Sequence, residues 1–273
     1  MSLVSASVIV VAVTVVAVAA MLLVRRRAPA GSYFEDGDRA AGVFGVLATG
    51  FALLSGFVVF LAFESYDTSR TGAETEARVI AQQFEIVQFL PAPAAKALTG
   101  ELGCYARNVV HEEWPEMADG HPPNANPWGV ALFRTLRATD PRSATEQAAY
   151  SKYLDQRADQ EMARQDRVHG AEGVIPTPLW IVLGLSATIL FVYMLFFADS
   201  GEGRVTQAML MGSVAAVVTS LLLLLWFLDN PFHGGVGSLK PVAMERTLAL
   251  IEQQAPVIGG VTYPCDASGV ARG

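Results

Sequence analysis

Residues Val43–Phe63 read VFGVLATGFALLSGFVVFLAF, a run of 21 residues without one charged side chain. At a rise of 1.5 Å per residue, a helix of about 20 apolar residues crosses the hydrocarbon core of a bilayer. Three further uncharged runs of similar length lie at Val4–Val24, Leu179–Ala198 and Val205–Leu228. Because lipid cannot bond to backbone N–H and C=O groups, each run is expected to satisfy them as a helix.

The four runs form one pair near each end of the 273-residue chain, and a long polar segment separates the pairs. The sequence therefore predicts an all-α integral membrane protein, with four transmembrane helices in two hairpins and a helical extramembrane domain between spans 2 and 3. The expected divisions are an N-terminal transmembrane hairpin at 1–63, the helical domain at 64–173, a C-terminal transmembrane hairpin at 174–228 and a tail at 229–273. The net charge of −7, from 26 acidic and 19 basic residues, gives no electrostatic footprint for nucleic acid.

Basic residues near the spans predict the orientation. The first run is interpreted as a retained anchor rather than a removable signal peptide, because Arg25–Arg27 follow it and no base precedes it. Arg39 and Arg204 add bases to the two short hairpin connections, and bases in short loops mark the cytoplasmic side. We expect a multi-pass protein of the cell membrane whose helical domain and tail are extracytoplasmic.

Cys104 and Cys265 are the two cysteines of the chain, one in the polar domain and one in the tail. Any four-span topology places both on the same side of the membrane, and extracytoplasmic compartments permit disulfides. A Cys104–Cys265 disulfide is therefore predicted, and two unrelated free thiols are the alternative.

The second span is expected to continue far beyond the membrane. Residues 43–89 contain no proline, and an apolar stripe at steps of three and four residues extends past Phe63. One long helix from Val43 to Phe89 is predicted, ended by the prolines that follow it. Further helices are expected from Pro93, around Trp128–Ala138, and from a capping box at Ser143–Glu146 toward His169. The stripe consists of Ala73, Ala77, Ile80, Phe84 and Val87.

Small residues in span 2 are the candidate pore lining. They recur three or four residues apart, which either lets helices pack closely in lipid or leaves a pore wall with little bulk. The phenylalanines that follow them are candidates for an apolar constriction. Charges at the outer ends of spans 2 and 4 are either solvated at the interface or form rings in an oligomer that bias ion selectivity. The candidates are Gly45, Thr49, Ala52, Gly56, Phe57, Phe60 and Phe63 for the pore, and Glu64, Asp67 and Asp229 for the charged vestibule.

Catalytic and metal-binding motifs are missing from the sequence. It contains no Gly-x-Ser-x-Gly, no phosphate-binding loop, no His-Glu-x-x-His and no Cys-x-x-Cys. His169 with Glu172, and His111 with Glu112 and Glu113, offer nitrogen and oxygen ligands without a recognised metal spacing. We expect no enzyme, no cofactor and no metal site.

Five short motifs are distributed along the chain, at Phe44–Leu47 (FGVL), Phe51–Phe57 (FALLSGF), Phe63–Asp67 (FESYD), His169–Glu172 (HGAE) and Leu228–Phe232 (LDNPF). Together they resemble those of the bestrophin-like group of bacterial membrane proteins, which is remotely similar to the bestrophin anion channels. The resemblance implies a homo-oligomeric ion channel with a helical domain. It also implies an acidic calcium clasp after Phe232, whereas His233–Lys240 contains no acidic residue, and a cytosolic domain, which is opposite to the orientation expected above.

Two functions follow from these patterns. The first is a homo-oligomeric bestrophin-like ion channel, surrounded by membrane lipids, with a pore lined mainly by span 2. The alternative is a non-conducting membrane scaffold whose helical domain binds a partner protein or an envelope component. A closed ring of several copies around an axial cavity favours the channel, whereas a monomer, or a dimer with a lipid-filled axis, favours the scaffold.

Overall fold

The computed structural model describes residues 2–121, 123–256 and 261–272, and helices dominate them. A π-helical turn at Val109–Glu113 joins the third and fourth α-helices. The described residues form no strand, and a single bridge pairs Cys265 with Ala271, so the predicted all-α class is confirmed. The α-helices are α1 (Leu3–Arg25), α2 (Gly37–Val87), α3 (Ala92–Asn108), α4 (Trp114–Ala118), α5 (Pro127–Arg137), α6 (Ala144–His169), α7 (Thr177–Phe196), α8 (Arg204–Asp229) and α9 (Val242–Gln254).

Four of these helices, α1, α2, α7 and α8, are long and apolar enough to cross a membrane. Three of them contain a whole uncharged run, and α7 contains its run up to Phe196, so the four predicted spans are confirmed as helices. The described chain divides into two compact units. Residues 2–64 and 174–229 form the first, called here the membrane unit, and the described parts of 65–173 and 230–272 form the second, called the polar unit.

The membrane unit is held together by close helix packing. A Cβ atom at Gly212 of α8 would lie 3.4 Å from Val18 and 3.5 Å from Thr14, so this glycine sits against α1. On the other side of the unit, Phe51 and Val58 of α2 belong to a buried apolar cluster with residues of α7 and α8. Small residues at such contacts let helix backbones approach closely where no water drives association.

Helix α2 is continuous, as predicted, and its 51 residues end at Val87, two residues before the predicted end. It begins at Gly37, six residues before the predicted start, where the Asp36 carboxylate accepts a hydrogen bond from the backbone N–H of Arg39 at 3.0 Å. An aspartate at this position satisfies a donor that the helix itself leaves unpaired. The predicted apolar stripe packs inward as expected, because Ala77, Ile80, Phe84 and Val87 are buried and Ala73 is partly buried.

A second buried face of α2 packs antiparallel on α6, and the sequence analysis did not predict it. At Gly72 the two backbones approach so closely that a Cβ atom would lie 2.5 Å from the nitrogen of Arg167. Further along, the side-chain amide of Gln83 donates to Gln160 at 3.1 Å, and both side chains are buried. The seam between the helices is therefore largely polar.

Helix α6 begins with the predicted capping box. The Ser143 hydroxyl accepts from the backbone N–H of Glu146, and the Glu146 carboxylate accepts from the backbone N–H of Ser143. The helix expected around Trp128–Ala138 is α5, which begins at Pro127 after Asn126 caps it.

The chain after α8 folds back onto α3. It contains α9, which was not predicted, and a segment at 261–272, called here the tail strap. A Cβ atom at Gly100 would lie 2.5 Å from the carbonyl oxygen of Thr262, so this glycine gives the strap room. The indole N–H of Trp128 donates to the carbonyl of Gly269 at 2.6 Å.

A disulfide joins Cys104 of α3 to Cys265 of the strap, with an S–S distance of 2.03 Å and a Cα–Cα distance of 5.8 Å. This confirms the predicted bond. Both cysteines are fully buried, so the covalent link lies inside the packed contact between α3 and the strap.

Candidate functional site

The candidate pore residues share one exposed face of α2. Positions 42, 45, 49, 52, 56, 60, 63 and 67 follow one another at steps of three or four residues, which places their side chains along one side of a helix. All eight are exposed on the protomer, and Phe60 and Phe63 expose 63% and 54% of their surface. Phe57, which is 61% exposed, and Glu64 lie at the edge of this face. We call these residues the open face of α2.

The glycines of the open face are not required for packing inside the protomer. A Cβ atom at Gly42, Gly45 or Gly56 would meet nothing within 4 Å. The contacts of this part of α2 lie on the opposite side, where Phe51 and Val58 are buried. Close packing within one chain therefore does not account for the small residues, and the open face is left for lipid, for another protomer or for a pore.

Asp229 lies in a different environment from Glu64 and Asp67. One carboxylate oxygen accepts from the backbone N–H groups of Val174 and Ile175 at 2.7 and 2.8 Å, and the other accepts from the indole of Trp180 at 3.2 Å. The residue is 8% exposed. Its carboxylate holds the start of α7 to the end of α8, whereas Glu64 and Asp67 face outward.

A buried cluster of charges forms the centre of the polar unit. Arg167 of α6 is fully buried, and its Nε donates to Glu76 of α2 at 2.5 Å. Its Nη2 also donates to Glu113 in the π-helical turn, which in turn accepts from Arg164 at 3.0 Å. The Tyr105 hydroxyl donates to Glu76 at 2.5 Å. Two acids and two bases thus balance, and the cluster ties α2, α3, α6 and the π-helical turn together.

The charges of this cluster fix one another's protonation. Burial alone raises the pKa of the Glu113 carboxyl, but Arg167 and Arg164 outweigh it and lower that pKa below its usual value. Burial likewise opposes the charged form of Arg167, yet Glu76 and Glu113 raise its pKa further. Burial, reinforced by Glu76 and Glu113, raises the pKa of Tyr105 well above normal, so its hydroxyl remains a donor. The shifted pKa values of Glu113 and Arg167 therefore favour their charged forms, and that of Tyr105 favours its neutral form.

The model of the bestrophin-like domain matches residues 11–242, which is most of the chain. The chain belongs to the bestrophin-like family. The resemblance stated from the motifs is thereby confirmed, and no curated protein matches the sequence closely enough to count as a relative.

Solved structures share the bestrophin-like fold at low sequence identity. A point variant of a bacterial bestrophin homologue from Klebsiella pneumoniae is 14% identical, with a TM-score of 0.67 over 90% of this chain and 99% of that chain. A second crystal structure of such a homologue from that organism is also 14% identical, with a TM-score of 0.66 over 96% of this chain and 100% of that chain. The likeness at this identity concerns the fold, and it supports a multi-pass membrane protein.

The histidines of this bestrophin-like protein do not assemble a metal site within the described part of the chain. No group of three or more His, Cys, Asp or Glu side chains converges there in a metal-binding arrangement. Of the acids considered in the sequence analysis, Glu113 is instead bonded to the two arginines of the buried cluster.

One buried face of α6, which includes Arg167 of the buried cluster, shows a regular spacing in the sequence. Tyr153, Gln156, Gln160 and Arg167 of α6 are all buried and are spaced by three, four and seven residues, as on one helix face. A periodic pattern of apolar residues does not reveal this face, because most of its members are polar. The partners of these residues on α2 are 74 to 91 residues away in the sequence, so no local pattern joins the two helices.

Proposed function

We propose that this bestrophin-like protein is a homo-oligomeric ion channel whose pore is lined mainly by α2. The observation that carries the proposal is the open face of α2, where small residues are exposed and have no packing role in their own protomer. Copies arranged around an axis with this face inward line a pore that is wide at the glycines. Membership of the bestrophin-like family supports the same function.

The phenylalanines form the constriction in this proposal. Phe57, Phe60 and Phe63 are more than half exposed on the protomer and follow the small residues along the same helix. A ring of such side chains closes a pore by dewetting, without a charged gate. Phe57→Ala, Phe60→Ala and Phe63→Ala are therefore expected to raise ion flux in vesicles reconstituted with the purified protein.

Phe89→Ala is the matched control for these substitutions. Phe89 is 61% exposed, like the three phenylalanines, but lies just after the end of α2 in the polar unit. Its substitution is expected to leave the flux unchanged. If neither the wild type nor the three phenylalanine variants carry current above empty bilayers, the proposal of an ion channel is wrong. The non-conducting scaffold then becomes the proposed function.

Ion selectivity tests the charged vestibule. Glu64 and Asp67 are exposed at the end of the open face, so Glu64→Gln and Asp67→Asn are expected to shift the reversal potential without lowering expression. Asp229 remains a candidate, but its carboxylate also holds Val174, Ile175 and Trp180. Asp229→Asn is therefore expected to lower stability as well as to change selectivity.

The polar unit is proposed to lie outside the cytoplasm. This orientation is supported by the Cys104–Cys265 disulfide, because cytosolic thiols are kept reduced, and by the arginines of the hairpin connections. A single cysteine placed at exposed Ser151 in a Cys104→Ser, Cys265→Ser background should react with a membrane-impermeant maleimide in intact cells. If the cysteine is labelled only after the membrane is permeabilised, the polar unit lies in the cytoplasm and the proposed orientation is wrong.

The scaffold alternative has one supporting observation. A groove of about 800 Å³ in the polar unit lies between the start of α3, the end of α5 and the start of α6, with Pro93, Arg134 and Arg142 among its lining residues. A partner segment bound there should be cross-linked to the protein by a photoreactive group attached at Arg134→Cys. This groove gains weight only if the flux experiments fail.

A further inference from the structure

A second groove of the polar unit, about 680 Å³ in volume, is lined by the two chain segments that leave the apolar spans. One wall is the stretch of α2 that contains Tyr66 and Arg70. The other wall runs from Gly237 through Lys240 into the first turns of α9, where Arg246 lies. The Tyr66 hydroxyl donates to the carbonyl of Gly237 at 2.7 Å and so fastens the two walls together.

The charge of this groove is positive in an otherwise acidic protein. Its lining contains three bases, Arg70, Lys240 and Arg246, and one acid, Glu74. Arg70 pairs with Glu74 at 3.2 Å, but both side chains are about 60% exposed, and such pairs hold their partners weakly. Among the residues that the structure describes, neither Lys240 nor Arg246 forms an ion pair. Lys240 and Arg246 thus line this groove without an ion-paired carboxylate among the described residues.

Both walls of the groove follow an apolar span closely in the sequence. Tyr66 follows Phe63 by three residues on an uninterrupted helix, a rise of about 4.5 Å, and Arg70 follows it by about 10 Å. The headgroup layer extends roughly 5–7 Å beyond the hydrocarbon on each side. Tyrosine is enriched at this depth, and long basic side chains reach toward it. The Gly-rich turn before Lys240 also presents Val236, which is 65% exposed.

We propose that this groove binds the phosphate of an anionic phospholipid headgroup. Lys240 and Arg246 donate charge-assisted hydrogen bonds to the phosphate oxygens, and Arg70 exchanges its exposed pair with Glu74 for the lipid. The amino end of α9, which forms part of the wall, favours negative charge in the same place. The proposal concerns lipid recognition and does not depend on conduction, so its failure leaves the proposed channel untouched.

Lipid binding to the purified, delipidated full chain tests the proposal. Native mass spectrometry should record tighter binding of phosphatidylglycerol than of zwitterionic phosphatidylcholine. A basic residue near an anionic surface contributes about 1 kcal/mol, so Lys240→Gln with Arg246→Gln should weaken phosphatidylglycerol binding on the order of 30-fold. Lys240→Arg should retain it.

The matched control is Arg134→Gln with Arg142→Gln, which removes two exposed bases from the other groove of the same unit. It should leave phosphatidylglycerol binding unchanged, and equal losses in the two double variants overturn the proposal. Displacement of the lipid by millimolar inorganic phosphate also overturns it, because the groove would then be a site for free phosphate. If the double variant does not fold, Lys240→Gln alone should weaken binding about fivefold, and an unchanged affinity is the contrary result.

Discussion

The guanidinium of Arg167 is fully buried and is solvated by two carboxylates in place of water. Removing a charge from water costs several kcal/mol, and the attraction of a partner offsets this only with good geometry and further hydrogen bonds. Here Glu76 and Glu113 each bond to Arg167, and Tyr105 and Arg164 satisfy the remaining carboxylate oxygens. The buried charges therefore compensate one another, and the loss of one member leaves the others buried without a partner of opposite charge.

Arg167→Met should lower the free energy of unfolding by about 3–5 kcal/mol, because Glu76 and Glu113 then share a buried site without their main cation. The measurement is denaturant unfolding in detergent micelles. Arg142→Met is the control, since Arg142 pairs with Asp140 while both side chains are more than 80% exposed. Its cost should stay within about 0.5 kcal/mol. An equal loss of unfolding free energy in the two variants would show that the buried cluster contributes no more to stability than an exposed ion pair.

The acid sensitivity of the polar unit follows from Glu113. Its pKa is lowered in the folded state from an ordinary value of 4.5, so its contribution to stability is present above that value and is lost as the pH falls through the folded pKa. Glu113→Gln should therefore be less stable at neutral pH but show a flatter decline below pH 4.5. The measurement is the free energy of unfolding of the wild type and of Glu113→Gln as a function of pH, and the slopes of the two curves are compared. Parallel acid branches in the wild type and the variant would contradict the assignment.

At the scale of the element, α2 carries two kinds of glycine on one helix. Gly72 lies where α2 crosses α6. A Cβ atom added at Gly72 would lie 2.5 Å from the backbone nitrogen of Arg167 and 2.8 Å from the carbonyl oxygen of Ala163. Gly45 lies on the open face and has nothing within 4 Å of such an atom. Gly45 lies in an apolar run and Gly72 in a polar stretch, and the packing role of each becomes visible only from what lies against it.

Gly72→Ala should destabilise the protein by about 1–3 kcal/mol, because the added methyl group meets backbone rather than a movable side-chain end. Gly45→Ala should leave the free energy of unfolding within about 1 kcal/mol, since alanine favours a helix over glycine by roughly that amount. Thermal unfolding of both variants in the same detergent and oligomeric state makes the comparison. A tolerated Gly72→Ala would mean that α2 and α6 do not cross at this residue.

At the scale of the whole molecule, the Cys104–Cys265 disulfide links positions 161 residues apart. Its removal frees the tail strap in the unfolded ensemble, and such bonds contribute roughly 2–4 kcal/mol. Cys104→Ser with Cys265→Ser should lower the free energy of unfolding by about that amount and speed proteolysis of the strap. Reduction of the wild type by a thiol reagent under mild denaturation should reproduce the effect. An unchanged proteolysis rate would indicate that packing against α3 holds the strap alone.

Features governed by composition and by local breakers were predictable from the sequence. The uncharged runs predicted the four spans, and the absence of proline predicted that α2 is continuous. Ser143 and Glu146 predicted where α6 begins. The disulfide followed because two cysteines allow one intrachain pairing. The open face was also predicted by residue, although its pore role remains a proposal.

Features that depend on distant partners were not predictable from these patterns. Glu76 and Arg167 have the appearance of surface charges on polar helices, and only their contact 91 residues apart shows that they are buried. The π-helical turn places Glu113 toward both arginines, and no local motif signals it. Helix α9 has a short mixed sequence whose burial comes from residues such as Met244 and Ile251 packing on the core of the polar unit.

The span of the disulfide also sets an order of events during synthesis. Ribosomes add about 5–20 residues per second, so the 161 residues that separate the two cysteines take roughly 8–32 s to make. Two apolar helices, α7 and α8, must be inserted in that interval. For that time the thiol of Cys104 has no partner in its own chain, while the thiols of neighbouring nascent chains are within reach. Crowded production therefore favours cross-linked dimers, and slow expression or an added disulfide isomerase should restore the correct pairing.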